Sequence, residues 1–160
     1  MSAVLQDHEP EIRPMREHDL ARIHTIEQRA YSFPWSVSVF TDCLRVGYSC
    51  WVIAQNDVTV GYGIMSVAVQ ESHILNLCID PSHHRNGFAN YLLEHMLRTA
   101  ADYDATIAYL EVRPSNTAAI CLYENAGFCQ VGVRSNYYPA AEGREDAYVM
   151  SKQLPLKSFV

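Results

Sequence analysis

The first half of the chain alternates short apolar segments with polar turns, and the spacing of the apolar residues changes from helical to strand-like. Leu20, Ile23 and Ile26 form one apolar stripe, which predicts a helix. Ser36 follows the helix-breaking segment 31–35 and can cap a second helix. Asn56 and Asp57 form a turn between two strand-like segments, which predicts a hairpin. The predicted elements are a strand at 11–14, helices at 17–29 and 36–46, and strands at 49–55, 58–69 and 72–79.

From residue 80 onward the pattern changes to alternating helices and strands. A helix at 87–102 would direct Leu92, Leu93, Met96 and Leu97 inward, and Gly127 would close a helix at 115–126. Strands are predicted at 106–112, 128–138 and 147–154. Antiparallel hairpins followed by β-α-β-α-β indicate an α+β or mixed α/β fold around one sheet. We expect a single domain at 11–154, with loose tails at 1–10 and 155–160.

Composition and charge limit the class of protein. Of the 160 residues, 49% are hydrophobic and 19% charged, enough apolar material for a core and too little charge for a disordered chain. The 12 basic and 18 acidic side chains give a net charge of -6, which argues against a nucleic-acid-binding surface. This charge suits a basic acceptor, although solubility would explain it equally well. Residues 1–10 do not form a signal peptide and no segment is apolar enough to span a membrane, so we expect a cytoplasmic protein without membrane partners.

The cysteines and histidines do not form a disulfide or metal-binding pattern. The number of cysteines is odd and no CxxC pair occurs, so we expect reduced, buried, structural thiols in the cytoplasm. The histidines lack the spacing of a metal site, and no metal is expected. The five cysteines are Cys43, Cys50, Cys78, Cys121 and Cys129.

The segment from residue 79 to residue 93 carries the most chemical information. A strand ends there, a polar turn follows, and small residues open a helix. Gly87 has no Cβ to hold a ligand away, and Ala89 is nearly as small. The amides from Arg85 to Asn90 would be free donors at the positive end of a helix dipole, which suits a pyrophosphate. The alternative is an ordinary strand-turn-helix connection; neither the P-loop motif nor the dinucleotide fingerprint is present.

The residues His84-Arg85-Asn86-Gly87-Phe88-Ala89 resemble the acetyl-CoA motif of the GNAT superfamily, R/Q-x-x-G-x-G/A. His84 departs from the Arg or Gln that is usual there; backbone amides do most of the binding, so we expect a mild effect. Further blocks resemble the RimI-like branch of that superfamily, and the resemblance extends from about residue 12 to residue 154. These blocks are Phe33-Pro34-Trp35-Ser36, Leu110-Glu111-Val112-Arg113, the segment 116–128, Asn136-Tyr137-Tyr138-Pro139 and Gly143-Arg144-Glu145-Asp146-Ala147.

The resemblance implies a GNAT fold whose mostly antiparallel central sheet opens at the acetyl-CoA site, with helices on both sides. The pantetheine arm would pair with the backbone of Leu77, Cys78 and Ile79, and Asn116 would contact the cofactor from a later helix. The N–H of Leu77 or Cys78 would stabilise the developing oxyanion. The pyrophosphate would bind the loop formed by Arg85, Asn86, Gly87, Phe88, Ala89 and Asn90. The acceptor would enter from the opposite side of the sheet.

Two side chains are candidates for proton transfer. Glu111 lies in a strand otherwise almost free of charge, and partial burial would raise its pKa toward that of a general base. The alternative is a structural ion pair with Arg113 or another cation. Tyr123 lies almost two helical turns after Asn116 and faces the same way; by resemblance it would be the general acid that protonates the departing thiolate. It could instead be a core tyrosine.

The resemblance also implies the acceptor, which would be the N-terminal amine of a protein, with alanine preferred. The best-known acceptor of this branch is a small-subunit ribosomal protein. Trp35, Tyr137 and Tyr138 would flank an extended peptide. Three acidic residues, Glu142, Glu145 and Asp146, could favour a basic peptide. Two rival functions remain: acetylation of small amines, and acetyl-CoA binding without catalysis.

Overall fold

The computed structural model of the chain describes residues 9–155, which form one seven-stranded sheet with helices on both faces. The strands are β1 (Glu11–Pro14), β2 (Ser49–Gln55), β3 (Val58–Ala68), β4 (Glu71–Ile79), β5 (Ile107–Val112), β6 (Cys129–Pro139) and β7 (Arg144–Gln153). The helices are α1 (Leu20–Ala30), α2 (Val37–Arg45), α3 (Phe88–Asp102) and α4 (Thr117–Asn125), and short 3-10 helices occupy Glu17–Asp19 and Pro81–His83.

The strands are arranged in the order β1-β2-β3-β4-β5-β7-β6, and one neighbouring pair is parallel. That pair is β4 and β5, which are in register from Glu71–Ile107 to Ile74–Leu110 only. The β3–β4 register shifts at this point, so that Leu75 is an extra residue in β4. β4 continues to Ile79 without a partner on its β5 side. The sheet therefore opens between its two halves, as the resemblance to the GNAT superfamily implies.

Each face of the sheet has its own core. α3 and α4 cover one face through buried residues such as Leu92, Met96 and Tyr123. α1 and α2 cover part of the other face through Ile23, Phe40 and their neighbours. The inward residues predicted for the first helix and for the helix after residue 87 are all buried, which confirms the two apolar stripes.

The predicted elements are all present, with ends that differ from the prediction by at most three residues. Ser36 stands at the start of α2, but its side chain makes no capping hydrogen bond and contacts the Ser38 hydroxyl instead. β7 begins at Arg144 rather than at residue 147, because the Gly143 turn brings the charged segment 144–146 into the β6–β7 hairpin. The predicted tails lie mostly outside the described residues.

The prediction of buried thiols is only partly correct. All five cysteines are free, and Cys43, Cys50 and Cys78 are buried, but Cys121 and Cys129 are exposed. No helix among residues 9–155 is long and apolar enough to cross a membrane.

The close packing of β3 against the open part of β4 makes a testable prediction. A Cβ at Gly61 would lie 2.6 Å from the Cys78 carbonyl oxygen and 2.5 Å from Ile79 Cδ1. Gly61→Ala should lower the free energy of unfolding by about 1–3 kcal/mol, because backbone as well as side chain must move. Gly132→Ala is the matched control, since its nearest atom is Val149 Cβ at 3.9 Å. Urea unfolding measures the free energy of unfolding of both variants. Equal values for Gly61→Ala and Gly132→Ala would contradict the close packing of β3 against β4 at Gly61.

Candidate active site

The unpaired edge of β4 forms one wall of the site. The Asp80 amide donates to the Val60 carbonyl at 2.7 Å, and bonded and non-bonded pairs alternate along an antiparallel ladder. The backbone of Cys78 therefore faces β3, whereas the N–H and C=O groups of Leu77 and Ile79 face the opening. This register corrects the predicted set of backbone partners: Leu77 and Ile79 are available to a ligand in the opening, and Cys78 is not.

Two side chains bind carbonyl groups on this edge. The Tyr31 hydroxyl donates to the Leu77 carbonyl at 3.3 Å, and His84 Nε2 lies 3.0 Å from the Ile79 carbonyl. Tyr31 belongs to the segment between α1 and α2, which the sequence presented only as a helix break. His84 is the residue that departs from the usual motif, and its ring turns back onto the strand. Both side chains hold the end of β4 in place beside the opening.

The loop after β4 has the geometry of an anion-binding helix start. Gly87 is the N-cap residue that precedes α3, with φ of +77°, and no side chain among residues 9–155 caps the helix. The first amides of a helix have no partner within it, and the space above Gly87 is open for at least 4 Å. Arg85 also has a positive φ, of +66°. The predicted segment Arg85, Asn86, Gly87, Phe88, Ala89 and Asn90 thus presents backbone donors at an exposed or half-exposed surface.

A buried carboxylate anchors this loop to α1. Asp80 is fully buried, and its side chain accepts hydrogen bonds from Arg22 at 2.9 Å, Arg29 at 3.1 Å and the Ser82 amide at 3.2 Å. Burial raises the pKa of Asp80, but these donors outweigh burial and leave the pKa below its ordinary value. The charge is thus compensated, and the start of the loop is tied to the helix on the other face.

Glu111 lies on the sheet face opposite to α3 and α4. Ala108, Leu110 and Val112 point into the α3–α4 core, so strand alternation directs Glu111 to the other face. Its side chain is 8% exposed and forms ion pairs with two strands: His73 of β4 through Oε2, and Arg134 of β6 through Oε1 at 3.1 Å. Arg113, which the sequence offered as a partner, binds elsewhere.

These partners reverse the predicted direction of the Glu111 pKa. Burial raises it, as expected from the apolar strand, but the hydrogen bonds and charges of His73 and Arg134 outweigh burial. The pKa of Glu111 is therefore below its ordinary value, and the carboxylate is ionised at neutral pH. The prediction of a raised pKa is wrong, because both partners are distant in sequence.

A cleft of about 400 Å³ adjoins the carboxylate on this face. Strands β3, β4, β5, β6 and β7 all contribute to it. Its lining residues are Ser66, Ala68, Glu71, Ser72, His73, Tyr109, Glu111, Arg134 and Val149.

The carboxyl group with a raised pKa in this region belongs to Glu27 of α1, which is 2% exposed. Burial raises this pKa, and hydrogen bonds from Tyr62 at 2.5 Å and Asn76 at 3.1 Å offset the effect only in part. Because both donors lie on the β3–β4 hairpin, Glu27 fixes α1 against the strand that borders the opening.

Tyr123 lies on the α3–α4 side of the sheet and is 7% exposed. Burial, together with Tyr138 and Cys78, raises the pKa of its hydroxyl. The end of α4 holds its position: the Phe128 and Gly127 amides return to the carbonyls of Tyr123 and Glu124, and the Tyr123 and Phe128 rings pack at 5.8 Å. The phenol thus keeps its proton at neutral pH.

Asn116 precedes α4, and its side-chain oxygen accepts the Ala119 amide at 3.2 Å. This residue therefore caps the helix that carries Tyr123. Its amide nitrogen is the group left for a ligand.

Arg113 joins the two segments that the sequence placed around an acceptor. Its guanidinium lies 4.4 Å from the centre of the Tyr138 ring and 5.7 Å from that of Phe33. It also donates to the Pro139 carbonyl at 2.8 Å and to Glu145 at 3.2 Å. The α1–α2 segment and the β6–β7 hairpin are therefore fixed relative to the end of β5.

Two of the three acidic residues expected to attract a basic acceptor have structural partners. Glu145 binds Arg113 and the Ser115 hydroxyl, and Asp146 accepts the Asn136 amide at 2.9 Å. Both carboxylates therefore already have hydrogen-bond partners within the protein. Glu142 is exposed at the turn between β6 and β7.

The aromatic residues of this region differ in burial. Trp35 is half-buried and packs on Phe40 with ring centres 5.3 Å apart. Tyr137 is 44% exposed and lies edge-on to Tyr138 at 4.8 Å. Tyr137 therefore has more free surface for a peptide than Trp35.

The structure thus brings most of the predicted site residues to one opening, with Glu111 and Tyr123 on opposite faces of the sheet. The sequence did not identify Tyr31, His73 or Arg134. His73 stood among scattered histidines, and Arg134 was one charge in an edge strand; only the strand order brings them to Glu111. Among residues 9–155, no group of three His, Cys, Asp or Glu side chains could hold a metal ion.

Comparison with known proteins adds an independent observation. A model of the acetyltransferase (GNAT) family matches residues 20–128. The ribosomal protein bS18-alanine N-acetyltransferase of Escherichia coli (strain K12) is 38% identical over 140 residues, which cover 88% of this chain and 95% of that protein.

Solved structures show the same similarity. The crystal structure of the ribosomal-protein-S18-alanine N-acetyltransferase from Escherichia coli matches with a TM-score of 0.87 and 35% identity, covering 94% of this chain and 97% of that one. Arabidopsis thaliana NAA60 in complex with acetyl-CoA matches with a TM-score of 0.81 and 17% identity, covering 91% and 98%, and shares the fold.

The loop geometry predicts the effect of filling the space above Gly87. Gly87→Val should weaken acetyl-CoA binding by about 10-fold or more, or roughly 1.4 kcal/mol, because a β-branched side chain would occupy the space of the pyrophosphate. Gly47→Val is the matched control, since Gly47 also has a positive φ (+81°) and open space above it. Calorimetry would place the cofactor elsewhere if both variants fold and bind it as the wild type does.

Proposed function

The chain belongs to the acetyltransferase (GNAT) family, and from that premise we propose that it moves the acetyl group of acetyl-CoA to the N-terminal amine of a protein. The observation that carries the proposal is the opening between β4 and β5, which has the anion-binding loop at one end and Glu111 and Tyr123 on its two faces. The chain is an acyltransferase with acetyl-CoA as co-substrate.

The cofactor would lie along the unpaired edge of β4. The amides of Leu77 and Ile79 face the opening and would pair with the pantetheine arm, while the loop from Arg85 to Asn90 would bind the pyrophosphate. Leu77 is also the candidate oxyanion donor, since Cys78 faces β3. The amide nitrogen of Asn116 would contact the cofactor from the start of α4. We assign this machinery to one domain, residues 11–154.

The acceptor proposal follows the relative with 38% identity, which is named for the alanine of ribosomal protein bS18. The similarity covers 88% of this chain and 95% of that protein, which supports a shared acceptor. The acceptor would be the N-terminal segment of a ribosomal protein, with alanine preferred, lying over Tyr137 and Tyr138. An α-amine with a pKa near 8 loses a proton far more readily than a lysine near 10.4.

Glu111 and Tyr123 would exchange protons with the amine and the thiol from opposite faces of the sheet. Glu111 is ionised at neutral pH, so it would attract the ammonium group and accept a proton from it. The neutral amine then attacks the thioester carbonyl, and the C–S bond breaks as the amide forms. As the C–S bond breaks, Tyr123, whose raised pKa keeps its hydroxyl protonated until then, donates a proton to the departing thiolate, and the second proton lost by the nitrogen restores the Tyr123 hydroxyl. The amine thus enters beside α1 and α2, and CoA leaves beside α3 and α4.

Direct transfer needs no cysteine intermediate. Burial raises the pKa of Cys78 to about 11, so its thiolate is scarce at neutral pH. Free thiols at all five cysteines and the dependence on acetyl-CoA support a cytoplasmic location. A small-amine acetyltransferase would share fold and cofactor, and acceptor turnover separates the two functions.

Replacement of the two proton-transfer groups tests their roles. Glu111→Gln should lower turnover by about 100-fold or more at neutral pH. The loss should shrink at high pH, where the amine is deprotonated without help. The pKa of Glu111 lies below its ordinary value, so its own titration does not change the rate in this high-pH range. Tyr123→Phe should lower turnover with little change in acetyl-CoA affinity. Steady-state kinetics from pH 6 to pH 10 measure turnover in both variants. Rates near that of the wild type in both would contradict these roles and leave positioning as the remaining source of catalysis.

The acceptor is tested with one peptide that carries an N-terminal alanine and an internal lysine. The acetyl group should appear on the α-amine, because an extended groove orders the first backbone units, whereas a lysine side chain loses more entropy and is less often neutral. Fragmentation by mass spectrometry locates the acetyl group, with a lysine-only peptide and a polyamine as controls. Acetyl mainly on lysine, or faster turnover of the polyamine, would overturn the acceptor and leave the acetyltransferase intact.

A further inference from the structure

Glu111 has two partners, and they are not equivalent as supports. Arg134 is 55% exposed and reaches Oε1 on a long, flexible side chain from the edge strand β6. His73 is 34% exposed and reaches Oε2 from the neighbouring strand β4. An imidazole has two side-chain torsions, so less freedom is lost when it is held in place. His73 is therefore the more rigid support of the carboxylate.

The register of β4 and β5 explains why His73 reaches Glu111. His73 stands opposite Tyr109, which makes Glu111 its diagonal neighbour in the last paired stretch before the strands separate. Diagonal neighbours on one face of a sheet lie within reach of long side chains. The bond therefore spans β4 and β5 at the very point where the opening begins.

Apart from Arg134, the other groups around Glu111 make no hydrogen bond to its carboxylate among the residues that the structure describes. β7 contributes the apolar Val149 to the cleft, and β5 contributes Tyr109. Glu71 of β4 is an acid and would repel the carboxylate. The titratable and charged groups that face Glu111 or line its cleft are His73, Glu71, Tyr109, Arg134 and Tyr138.

We propose that His73 is a positioning residue for the acetyl transfer: its Nε2–Oε2 bond holds the Glu111 carboxylate at the start of the opening, aligned with the entering amine. This inference rests on the proposed function, in which Glu111 receives a proton. Without the bond, the flexible glutamate side chain could turn into the adjoining cleft of about 400 Å³, away from the amine. His73 acts through Glu111 and does not itself touch the substrate.

Two variants separate positioning from proton exchange. His73→Ala removes the donor to Oε2, whereas His73→Gln keeps an amide N–H where Nε2 stands but does not titrate near neutral pH. His73→Ala should lower kcat by about 10- to 100-fold, the usual effect of a misplaced group. His73→Gln should recover most of this loss, and both variants should bind acetyl-CoA as the wild type does. His18→Ala, at another exposed histidine, is the control.

The ionisation of Glu111 gives a second readout that needs no acceptor. In His73→Ala, burial remains but a hydrogen bond that lowers the Glu111 pKa is lost. The carboxyl should therefore titrate at higher pH than in the wild type. Carbon-13 NMR of protein labelled at the glutamate carboxyl follows this titration, and Glu111→Gln identifies the resonance.

Three results would overturn the proposal. His73→Ala could keep both the wild-type kcat and the wild-type Glu111 titration. The Ala and Gln variants could lose kcat equally, which would show that proton exchange matters rather than position. Both could lose thermal stability and acetyl-CoA affinity together, which would make His73 purely structural. Failure of the proposed function would appear separately, as a Glu111→Gln variant that keeps wild-type turnover while the Glu111 titration still shifts in His73→Ala.

Discussion

The rest of the structure depends on the short parallel pairing between β4 and β5, which ends at Ile74 and Leu110. Beyond that point, the backbone N–H and C=O groups on the side of β4 that faces β5 must find partners outside the sheet. Tyr31 and His84 bind two of the carbonyls, and the amides of Leu77 and Ile79 face the opening. A ligand with its own amides, such as pantetheine, can complete this edge as a further strand would.

An unpaired edge would be loose if its ends were free, and buried charges hold both ends. Asp80 binds Arg22 and Arg29 at the start of the loop before α3, and Glu27 binds the β3–β4 hairpin beside it. A buried ion pair such as that of Asp80 contributes little net stability, but removing one partner is costly. The effect of Asp80 and Glu27 here is to hold α1 and the unpaired edge of β4 in one fixed position relative to each other.

The sheet also separates the two halves of the proposed chemistry. Glu111 faces the α1–α2 side, where two donors keep it ionised, and Tyr123 faces the α3–α4 side, where burial keeps it protonated. Each group is thus held at neutral pH in the form its role requires. Arg113, two residues after Glu111, contacts Phe33, Tyr138 and Pro139, and so fixes the α1–α2 segment and the β6–β7 hairpin relative to the carboxylate.

The amino-acid sequence by itself determined the elements, the two apolar faces, the loop at Gly87 and the candidacy of Glu111 and Tyr123. These features follow from local spacing, from turn and capping residues, and from a motif within a few residues of the chain. The tertiary structure alone decided which groups surround them. His73 and Arg134 are 38 and 23 residues from Glu111, and Tyr31 is 46 residues from Leu77.

Strand register decided that the Cys78 backbone faces β3, and strand order turned the expected rise in the Glu111 pKa into a fall. Burial can be inferred from a run of apolar neighbours, whereas the charges that compensate it come from other strands, because a sheet joins residues by register rather than by distance along the chain.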